Sequence, residues 1–533
     1  MRKLLSQPLS TWLELLLIVA MPLAMLFWWH TAPENGYIYD DAYISYRYAV
    51  NLANGHGLVW NVGDVPTQGY TNFLFVILIA LGIRFGAEAV HMAHLLNAFG
   101  LALISLALYS MARLFFARPF LRVLPSLAAT LLPLSLINAL TGMETTFWTG
   151  LLFAAIVLGL QFVATQRIIW LIWHAVVTFL ACLTRPESVL FAALWFGTLF
   201  IVSRRRRAVF LTAFAFGMAG GVYLLWLQSY FGAILPNSFY VKVTDPALLP
   251  GLFYINEFFE QAVAPIAGWL LFAIGIGSIL KDFPRLSLAF LALNGALLSL
   301  LAFYTLTYPF MGLYHRFVYP ALIVFILWAG VGLVALAERI LQARSVYRYA
   351  LFSVLSVLLC LSTAQTVAAS VAEPQSAGDL FYVNRRMGMA LARLPSASQI
   401  TVAYNDAGIL PFVSGVRHMD TVGLNENRIA REGKERGWLW IIGYVLGSRP
   451  DLIGFYTFPD GTVYNFGHGL IGGYYSVLAS APDFLENYTY AGGFDAEWVH
   501  IQWYVYNQSP YREAIWQAVQ AAADFKTYTV RMP

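Results

Sequence analysis

The sequence carries little charge for its length. Only 11% of its 533 residues are charged, whereas 59% are hydrophobic and the mean hydropathy is +0.65. A soluble domain has about 25% charged residues and cannot bury this much apolar surface in one core. Lipid must therefore solvate much of the chain. The net charge of +4 is small, and it gives no support for a nucleic-acid partner.

Cysteine is almost absent. The two cysteines, Cys182 and Cys360, both lie in apolar segments, which excludes a disulfide framework and a cysteine metal site. His91 and His94 share a helical face, but no third ligand follows at a diagnostic spacing. No metal site is predicted, and dependence on a divalent metal is left open.

Long apolar segments are abundant, and eleven of them can cross about 30 Å of hydrocarbon. They begin near Leu9, His91, Val123, Thr145, Ile168, Val189, Val209, Val263, Leu286, Phe317 and Tyr349. A further apolar segment, 73–85, is too short to span and is interpreted as an interfacial or re-entrant helix. The sequence therefore predicts a polytopic α-helical membrane protein with about 11 transmembrane helices.

Arginine and lysine clusters give this protein an orientation. They lie at 113–122, 204–207, 281–285 and 339–348, and the positive-inside rule places them in the cytoplasm. Residues 30–87 then form the first outer loop of a transmembrane domain, 1–371, and residues 372–533 lie outside. This tail is long enough to be a domain. Its strand-like segments, 400–404 and 452–457, alternate with helix-like segments and predict a soluble α/β domain.

The first outer loop carries the candidate chemistry. A short helix is predicted from Asp40, as its N-cap, to Gly55, as the left-handed residue that ends it. At helical spacing Asp40 and Arg47 share one face, beside Tyr43. Asp40 and Asp41 are alternatively no more than caps that favour the helix dipole. The length of the loop and its many glycines and tyrosines favour a functional role.

An ordered set of motifs between residues 36 and 427 resembles the bacterial terminal arabinofuranosyltransferases, which are membrane glycosyltransferases of the GT-C superfamily. The motifs are Asp40-Asp41-Ala42-Tyr43-Ile44-Ser45-Tyr46-Arg47-Tyr48-Ala49, Gly69-Tyr70-Thr71-Asn72, Thr141-Gly142-Met143-Glu144-Thr145, Thr184-Arg185-Pro186-Glu187, Pro236-Asn237-Ser238-Phe239-Tyr240-Val241-Lys242, Arg316-Phe317, Asp406-Ala407-Gly408 and Asp420-Thr421-Val422-Gly423-Leu424. The family usually has a glutamate before Gly69, where this chain has Gln68, so no acidic role is predicted there.

The resemblance implies a GT-C fold in a bacterial cytoplasmic membrane, with the catalytic face outside. It implies transfer of a sugar, D-arabinofuranose, from a decaprenyl- or undecaprenyl-phospho-sugar to an extracytoplasmic glycan or protein. Asp40 aligns with the first acidic residue of the GT-C loop and is the candidate base, because a positioned carboxylate can take the proton of an attacking hydroxyl. Asp41 is the second carboxylate, which orients the acceptor or stabilises positive charge on the sugar ring.

The leaving group is a phosphate, and cationic side chains are its natural partners. The candidates are Arg316, Lys242 and Arg47, with His315 as a weaker one. Arg316 is alternatively an interfacial anchor, and Lys242 a snorkelling residue.

The residues predicted to bind the acceptor or the sugar are Tyr43, Glu144, Asn72 and Asn237. Glu144 alternatively holds Arg185, and Arg185 alternatively pairs with Glu187 as a structural element. Aromatic residues of the tail, among them Trp438, Trp503, Tyr474 and Tyr475, either stack on a glycan or form a core. Residues 465–475 are predicted to be a loop over the catalytic face.

Two other functions compete with sugar transfer from a lipid phosphate. A flippase or transporter for a lipid-linked sugar also needs apolar helices and buried acids, but the acidic pair lies in a loop and no broken helix pairs are evident. An oligosaccharide polymerase or ligase uses a polyprenyl-diphosphate donor. The Asp-Asp loop near the amino terminus favours the GT-C type.

Overall fold

The computed structural model describes residues 9–30, 38–115, 119–242, 248–261, 266–282, 284–307, 315–342, 382–465, 473–495 and 500–523. The first fifteen helices are α1 (Leu9–His30), α2 (Ala42–Ala53), α3 (Phe73–Arg84), α4 (Ala89–Phe115), α5 (Pro119–Thr130), α6 (Pro133–Leu140), α7 (Thr145–Thr165), α8 (Ile168–Thr184), α9 (Ser188–Val202), α10 (Arg206–Phe231), α11 (Asn237–Lys242), α12 (Leu248–Gln261), α13 (Ile266–Asp282), α14 (Pro284–Thr307) and α15 (Tyr319–Gln342).

The rest of the chain alternates helices and strands. In order these are α16 (382–392), β1 (Thr401–Tyr404), α17 (Ile409–Ser414), β2 (Arg417–Asp420), α18 (Asn427–Arg436), α19 (Trp438–Gly447), β3 (Leu452–Thr457), α20 (Tyr475–Ala479), α21 (Pro482–Asn487), β4 (Tyr488–Asp495), β5 (His500–Tyr506) and α22 (Arg512–Ala523). The predicted strands 400–404 and 452–457 correspond to β1 and β3, so the α/β prediction for the tail is confirmed.

The chain divides into two compact units. The helical unit comprises Met1–Asn35, Ala93–Tyr223 and Pro246–Glu373, and the mixed unit comprises Gly36–Met92, Leu224–Asp245 and Pro374–Pro533. The first loop thus packs with the tail, although they are more than 280 residues apart in the sequence. The division predicted from the sequence, into residues 1–371 and 372–533, stays a prediction.

Ten of the eleven predicted apolar segments form helices, and the eleventh, near Tyr349, lies outside the described residues. Within the described part, four helices are long and apolar enough to cross a membrane: Ala89–Leu114, Thr145–Thr165, Arg206–Phe231 and Tyr319–Leu336. The segment near Val123 breaks into Leu121–Thr130 and Leu134–Leu140 with a 54° bend, and the pair counts as a fifth if it is one span. Pro133 explains the break, because proline has no backbone N–H to donate to the carbonyl four residues earlier in the helix. The total of eleven spans stays a prediction.

The mixed unit contains a five-stranded sheet in the order β2-β1-β3-β5-β4. The strand β1 is parallel to both β2 and β3, whereas β5 runs antiparallel to β3 and to β4. From β1 the chain first goes to β2 on one side and later to β3 on the other. The segment that leaves β1 runs to β2 on one side, and the segment that leaves β3 runs to β4 on the other. The carboxyl ends of β1 and β3 are therefore the place where open α/β sheets bind ligands.

Both faces of this sheet are covered. Val402 and Tyr404 of β1 belong to a core with Met387 of α16 and Val519 of α22, whereas Ala403 belongs to a second core with residues of α19. This division follows from the strand geometry, because successive side chains point to opposite faces. The tail aromatics Trp503, Tyr474 and Tyr475 are buried in these cores, and Trp438 is 44% exposed.

The predicted helix of the first loop is α2, and its C-terminal end is as expected. Gly55 has a φ of +85°, and its N–H donates to the carbonyl of Leu52. The prediction for the N-cap is wrong, because Asp41 holds that position and its side chain makes no capping hydrogen bond. The Asp40 carboxylate is used elsewhere, as described below. Helix capping therefore does not explain the acidic pair.

Candidate active site

The Asp40 carboxylate lies against the backbone that follows β1. Its Oδ1 accepts a hydrogen bond from the N–H of Ile409 at 2.8 Å, at the start of α17. The chain approaches so closely at Gly408 that a Cβ on that residue would overlap the carboxylate. A glycine is therefore required there. Asp40 as a residue is half-buried, and its carboxylate is held in place by this backbone.

Asp406 lies two residues before Gly408, in the same loop. Its Oδ2 accepts a hydrogen bond from Nδ2 of Asn384 in α16 at 2.5 Å and another from the hydroxyl of Tyr456 in β3. Asn384 is fully buried, and its own Oδ1 accepts from the hydroxyl of Tyr404 at 3.2 Å. This network fixes a third carboxylate beside Asp40 and Asp41.

The three carboxylates influence one another electrostatically. Burial, and then the negative charge of Asp406, raise the pKa of Asp40 well above the usual value of an aspartate, although the N–H groups of Ile409 and Gly408 act in the opposite direction. Burial raises the pKa of Asp406 to about 6, against the hydrogen bonds from Tyr456 and Asn384. Asp406 is thus mostly ionised at neutral pH, whereas Asp40 is a more basic carboxylate than usual.

Two predicted acceptor residues lie in this part of the mixed unit. Tyr43 is buried, and its ring packs 5.2 Å from that of Phe412 in α17, while the nearby charge of Asp40 adds to burial in raising the pKa of its hydroxyl to about 12. Asn72 precedes α3 and exchanges hydrogen bonds of 3.0 and 3.1 Å with the hydroxyl of Ser45. Asn72 therefore ties α3 to α2, and this contact is structural.

Arg47 is buried and uses its guanidinium on the protein itself. It donates to the carbonyls of Trp60 at 2.8 Å, Pro411 at 2.5 Å and Val416 at 2.8 Å, and to Oδ1 of Asn61 at 3.0 Å. The guanidinium also lies 4.6 Å from the centroid of the Trp60 ring. Four of its five N–H donors are thus occupied. This geometry does not support the predicted phosphate role and makes Arg47 a link between the first loop and the tail.

The other two predicted residues of the mixed unit lie in α11. The buried Asn237 links the first loop to the tail. Its N–H donates to the carbonyl of Gln68 at 2.9 Å, and its Nδ2 donates to Oδ1 of Asn427 at 2.9 Å. These contacts are structural, like those of Asn72. Lys242 is the last residue of α11 and is half-buried.

In the helical unit, Glu144 holds Arg185, as the alternative interpretation of the sequence has it. Its Oε1 accepts from Nε and Nη2 of Arg185 at 2.8 and 2.7 Å, and Oε1 of Glu187 accepts from Nη1 at 2.9 Å. The hydroxyl of Tyr304 donates to Glu187. Glu144 and Glu187 thus share one guanidinium in a buried ion cluster, and the acceptor role of Glu144 stays a prediction.

The two predicted phosphate ligands of this unit follow each other before α15. His315 is buried, and burial lowers its pKa to about 4, so the imidazole is neutral at physiological pH and offers a hydrogen bond but no charge. Arg316 is also buried, and its guanidinium lies 4.9 Å from the centroid of the Phe317 ring. Arg185 approaches the same ring to 4.8 Å. Phe317 thus contacts both guanidinium groups.

The sequence alone does not identify Asn384 or Tyr456, because neither lies in a matched motif. Each reaches Asp406 only in the folded unit, Asn384 from α16 and Tyr456 from β3. Asp420 has a different role from Asp406, since its carboxylate accepts from the N–H groups of Val422, Gly423 and Asn425 and closes the turn after β2. Among the residues that the structure describes, no three His, Cys, Asp or Glu side chains converge as metal ligands do.

Comparisons with known proteins agree with this architecture. A family model described as a domain of unknown function (DUF8728) matches residues 371–520. ArnT from Cupriavidus metallidurans bound to undecaprenyl phosphate superposes with a TM-score of 0.58 at 13% identity, over 93% of this chain and 98% of ArnT. The apo oligosaccharyltransferase from Archaeoglobus fulgidus gives a TM-score of 0.49 at 12% identity, over 91% and 80%. No curated protein matches significantly.

The similarity to ArnT shows that the two chains share a fold, and the mainly helical architecture with an α/β tail that the sequence predicts is confirmed to that extent. At 13% identity it shows the fold alone. Activity, donor and acceptor must therefore be argued from the residues of this chain.

Proposed function

We propose that this chain is a membrane glycosyltransferase that moves a sugar from a polyprenyl-phosphate donor to a hydroxyl of an extracytoplasmic glycan or protein. The observation that carries the proposal is the position of Asp40. Its carboxylate is fixed by the backbone of Gly408 and Ile409, belongs to a half-buried residue, and is more basic than usual. A general base needs these three properties.

In the proposed reaction the acceptor oxygen attacks the anomeric carbon of the sugar. The bond between that carbon and the phosphate oxygen breaks, and its electron pair stays on the phosphate. The acceptor proton passes to Asp40. Asp41, which begins α2, is assigned to the positive charge that develops on the sugar ring. A phosphate is a good leaving group, so the reaction needs cations near it and no general acid.

In the helical unit, Arg316 is the residue that we assign to the donor phosphate. Among the described residues of this unit, it is a buried arginine that lies outside the Glu144–Arg185–Glu187 cluster, and a bidentate guanidinium suits phosphate oxygens. His315 is assigned a neutral hydrogen bond to the same group. In the mixed unit, Lys242 is the cation that we retain as a phosphate candidate, since Arg47 is occupied.

The finer assignments rest on the sequence. The motif similarity supports D-arabinofuranose as the sugar, with decaprenyl or undecaprenyl phosphate as the carrier. The fold of ArnT, which was crystallised with undecaprenyl phosphate, supports a carrier of this kind. The arginine clusters favour a bacterial cytoplasmic membrane protein whose catalytic face is extracytoplasmic.

The test is release of polyprenyl phosphate from polyprenyl-phospho-arabinose by the purified full-length protein, in the presence of a mixture of acceptors. We expect wild type to turn over and Asp40→Asn to lose on the order of a hundredfold or more. Asp41→Asn is expected to lose less, roughly tenfold. The matched control is Asp483→Asn, an exposed aspartate of the same unit, which should keep wild-type activity.

Three outcomes would overturn the proposal. Transport of labelled lipid across liposomes without release of lipid phosphate identifies a flippase. Release of polyprenyl diphosphate from a diphosphate donor identifies a polymerase or ligase. Full activity in Asp40→Asn removes the assigned base.

A further inference from the structure

Asp406 is placed by the topology of the sheet at the carboxyl end of β1, beside the carboxyl end of β3, where the segments that leave these two strands run to opposite sides of the sheet. Its partner Tyr456 comes from the same end of the parallel strand β3, and its partner Asn384 comes from α16. Both partners donate to the same oxygen, Oδ2. Two donors on one oxygen stabilise the ionised form and fix the direction of the carboxylate.

This carboxylate is coupled mechanically to Asp40. Two residues after Asp406, Gly408 touches the Asp40 carboxylate, and the next N–H, that of Ile409, donates to it. Any movement of the Asp406 loop must therefore also move Gly408 and Ile409, the residues that hold the Asp40 carboxylate. The coupling lies entirely within the mixed unit.

The surroundings show which charges act on Asp40. Asp41 and Asp406 are the acids whose negative charge raises its pKa. Tyr43 of α2 and Tyr404 of β1 also lie near Asp40, and Tyr456 of β3 lies against Asp406. Burial raises the pKa of each hydroxyl, so all three are neutral. Tyr475 is likewise near Asp406 and neutral. Arg385 of α16 acts on the hydroxyl of Tyr43.

We propose that Asp406 is a positioning residue of the transfer reaction: its carboxylate, held by Asn384 and Tyr456, places a negative charge beside Asp40, and the loop that follows it keeps the Asp40 carboxylate directed. This inference rests on the proposed function. Asp406 exchanges no proton in the reaction. The proton of the acceptor hydroxyl goes to Asp40, and the electron pair of the broken bond leaves with the phosphate.

The experiment compares the pH dependence of lipid phosphate release in wild type, Asp406→Asn and Asp451→Asn. At low pH the base is protonated and the rate falls. Removal of the Asp406 charge should move this fall to lower pH by about one unit and lower the maximal rate about tenfold, because Asp40 becomes less basic. Asp451 accepts from Thr401 and Ser509 at the opposite end of β1 and β3, so its variant should leave the profile unmoved.

A conservative variant distinguishes an effect of the Asp406 charge from a general loss of structure. Tyr456→Phe removes one hydrogen bond but keeps the Asp406 carboxylate, so Asp406 is neutralised at higher pH and the profile should move in the same direction as in Asp406→Asn, by less. Loss of rate in both variants with an unmoved profile would overturn the proposal and leave Asp406 a structural residue.

A second readout does not depend on activity. Infrared difference titration of the purified protein detects protonated carboxyl groups, and the band that Asp40→Asn lacks belongs to Asp40. Its midpoint should fall by about one pH unit in Asp406→Asn. An unmoved midpoint overturns the inference. A moved midpoint in a protein that releases no lipid phosphate overturns the proposed function and supports the coupling of the two carboxylates.

Discussion

The Arg185 cluster offers a prediction whose size follows from the structure. The Arg185 and Glu144 side chains are 6% and 1% exposed, and the guanidinium is paired with Glu144 and Glu187 at 2.7 and 2.9 Å. At an effective dielectric constant of about 20, each pair of charges attracts with about 4 kcal/mol. Desolvation of three ions offsets most of this, so the intact cluster contributes little net stability.

Removing only the cation has a large effect. In Arg185→Met the side chain still fills the space between Trp148 and Phe317, whose rings the guanidinium contacts, but two buried carboxylates lose their counter-charge. We expect the free energy of unfolding to fall by about 3–5 kcal/mol. Replacing all three residues, as Glu144→Gln, Arg185→Met and Glu187→Gln together, should restore it to within about 1–2 kcal/mol of wild type, because no uncompensated charge remains.

The assay is reversible unfolding in mixed micelles, followed by the loss of helical circular dichroism as the denaturing detergent increases. Arg167→Met, at the exposed start of α8, is the matched control and should stay within about 0.5 kcal/mol of wild type. If Arg185→Met is as stable as this control, or if the triple variant is as unstable as Arg185→Met, the reasoning about buried charge is wrong.

Two further predictions concern the mixed unit. Gly408→Ala should reduce lipid phosphate release on the order of a hundredfold, because the added Cβ displaces the Asp40 carboxylate. The control Gly443→Ala, with open space around the added Cβ, should be fully active. Equal activities of the two variants would contradict the close contact between Gly408 and Asp40. Arg47→Lys should cost about 2–4 kcal/mol of stability in pulse proteolysis, because one ammonium cannot satisfy four buried acceptors. Arg417→Lys, whose guanidinium is 43% exposed and pairs with Asp64, is the control and should change stability by less than about 1 kcal/mol.

The helices and the strands of the tail could be predicted from the sequence because each has a local signal. A long apolar segment must be solvated by lipid, and Gly55 ends α2 because it accepts a positive φ. Asp40 and Asp41 could be identified as unusual acids for the same local reason. The partners of these residues could not, because a loop and a sheet more than 300 residues apart in the sequence supply them. Arg47 illustrates the difficulty, since an arginine near a carboxylate indicates phosphate binding equally well until its four acceptors are known.

Glu144 and Arg185 show how a local argument for function gives way to packing. An acid in a short connection between apolar helices is costly unless it is used, and this favoured a ligand role. In the structure Glu144 forms an ion pair with Arg185, which lies between α8 and α9, so the guanidinium offsets the cost of burying the carboxylate. Arg185 was predicted to pair with Glu187, and it does so while also binding Glu144.

The contacts between the first loop and the tail explain why the proposed transferase, whose acids lie near the amino terminus, would need its tail. Arg47 joins α2 to the carbonyls of Pro411 and Val416, and Gly408 and Ile409 seat the Asp40 carboxylate. Without these segments Asp40 has neither its backbone donor nor its charged neighbour, and it reverts to an ordinary, mobile aspartate of a loop. The region matched by the domain of unknown function, 371–520, includes all of them. On the proposed function, then, the tail does more than bind an acceptor: it determines how basic the catalytic carboxylate is.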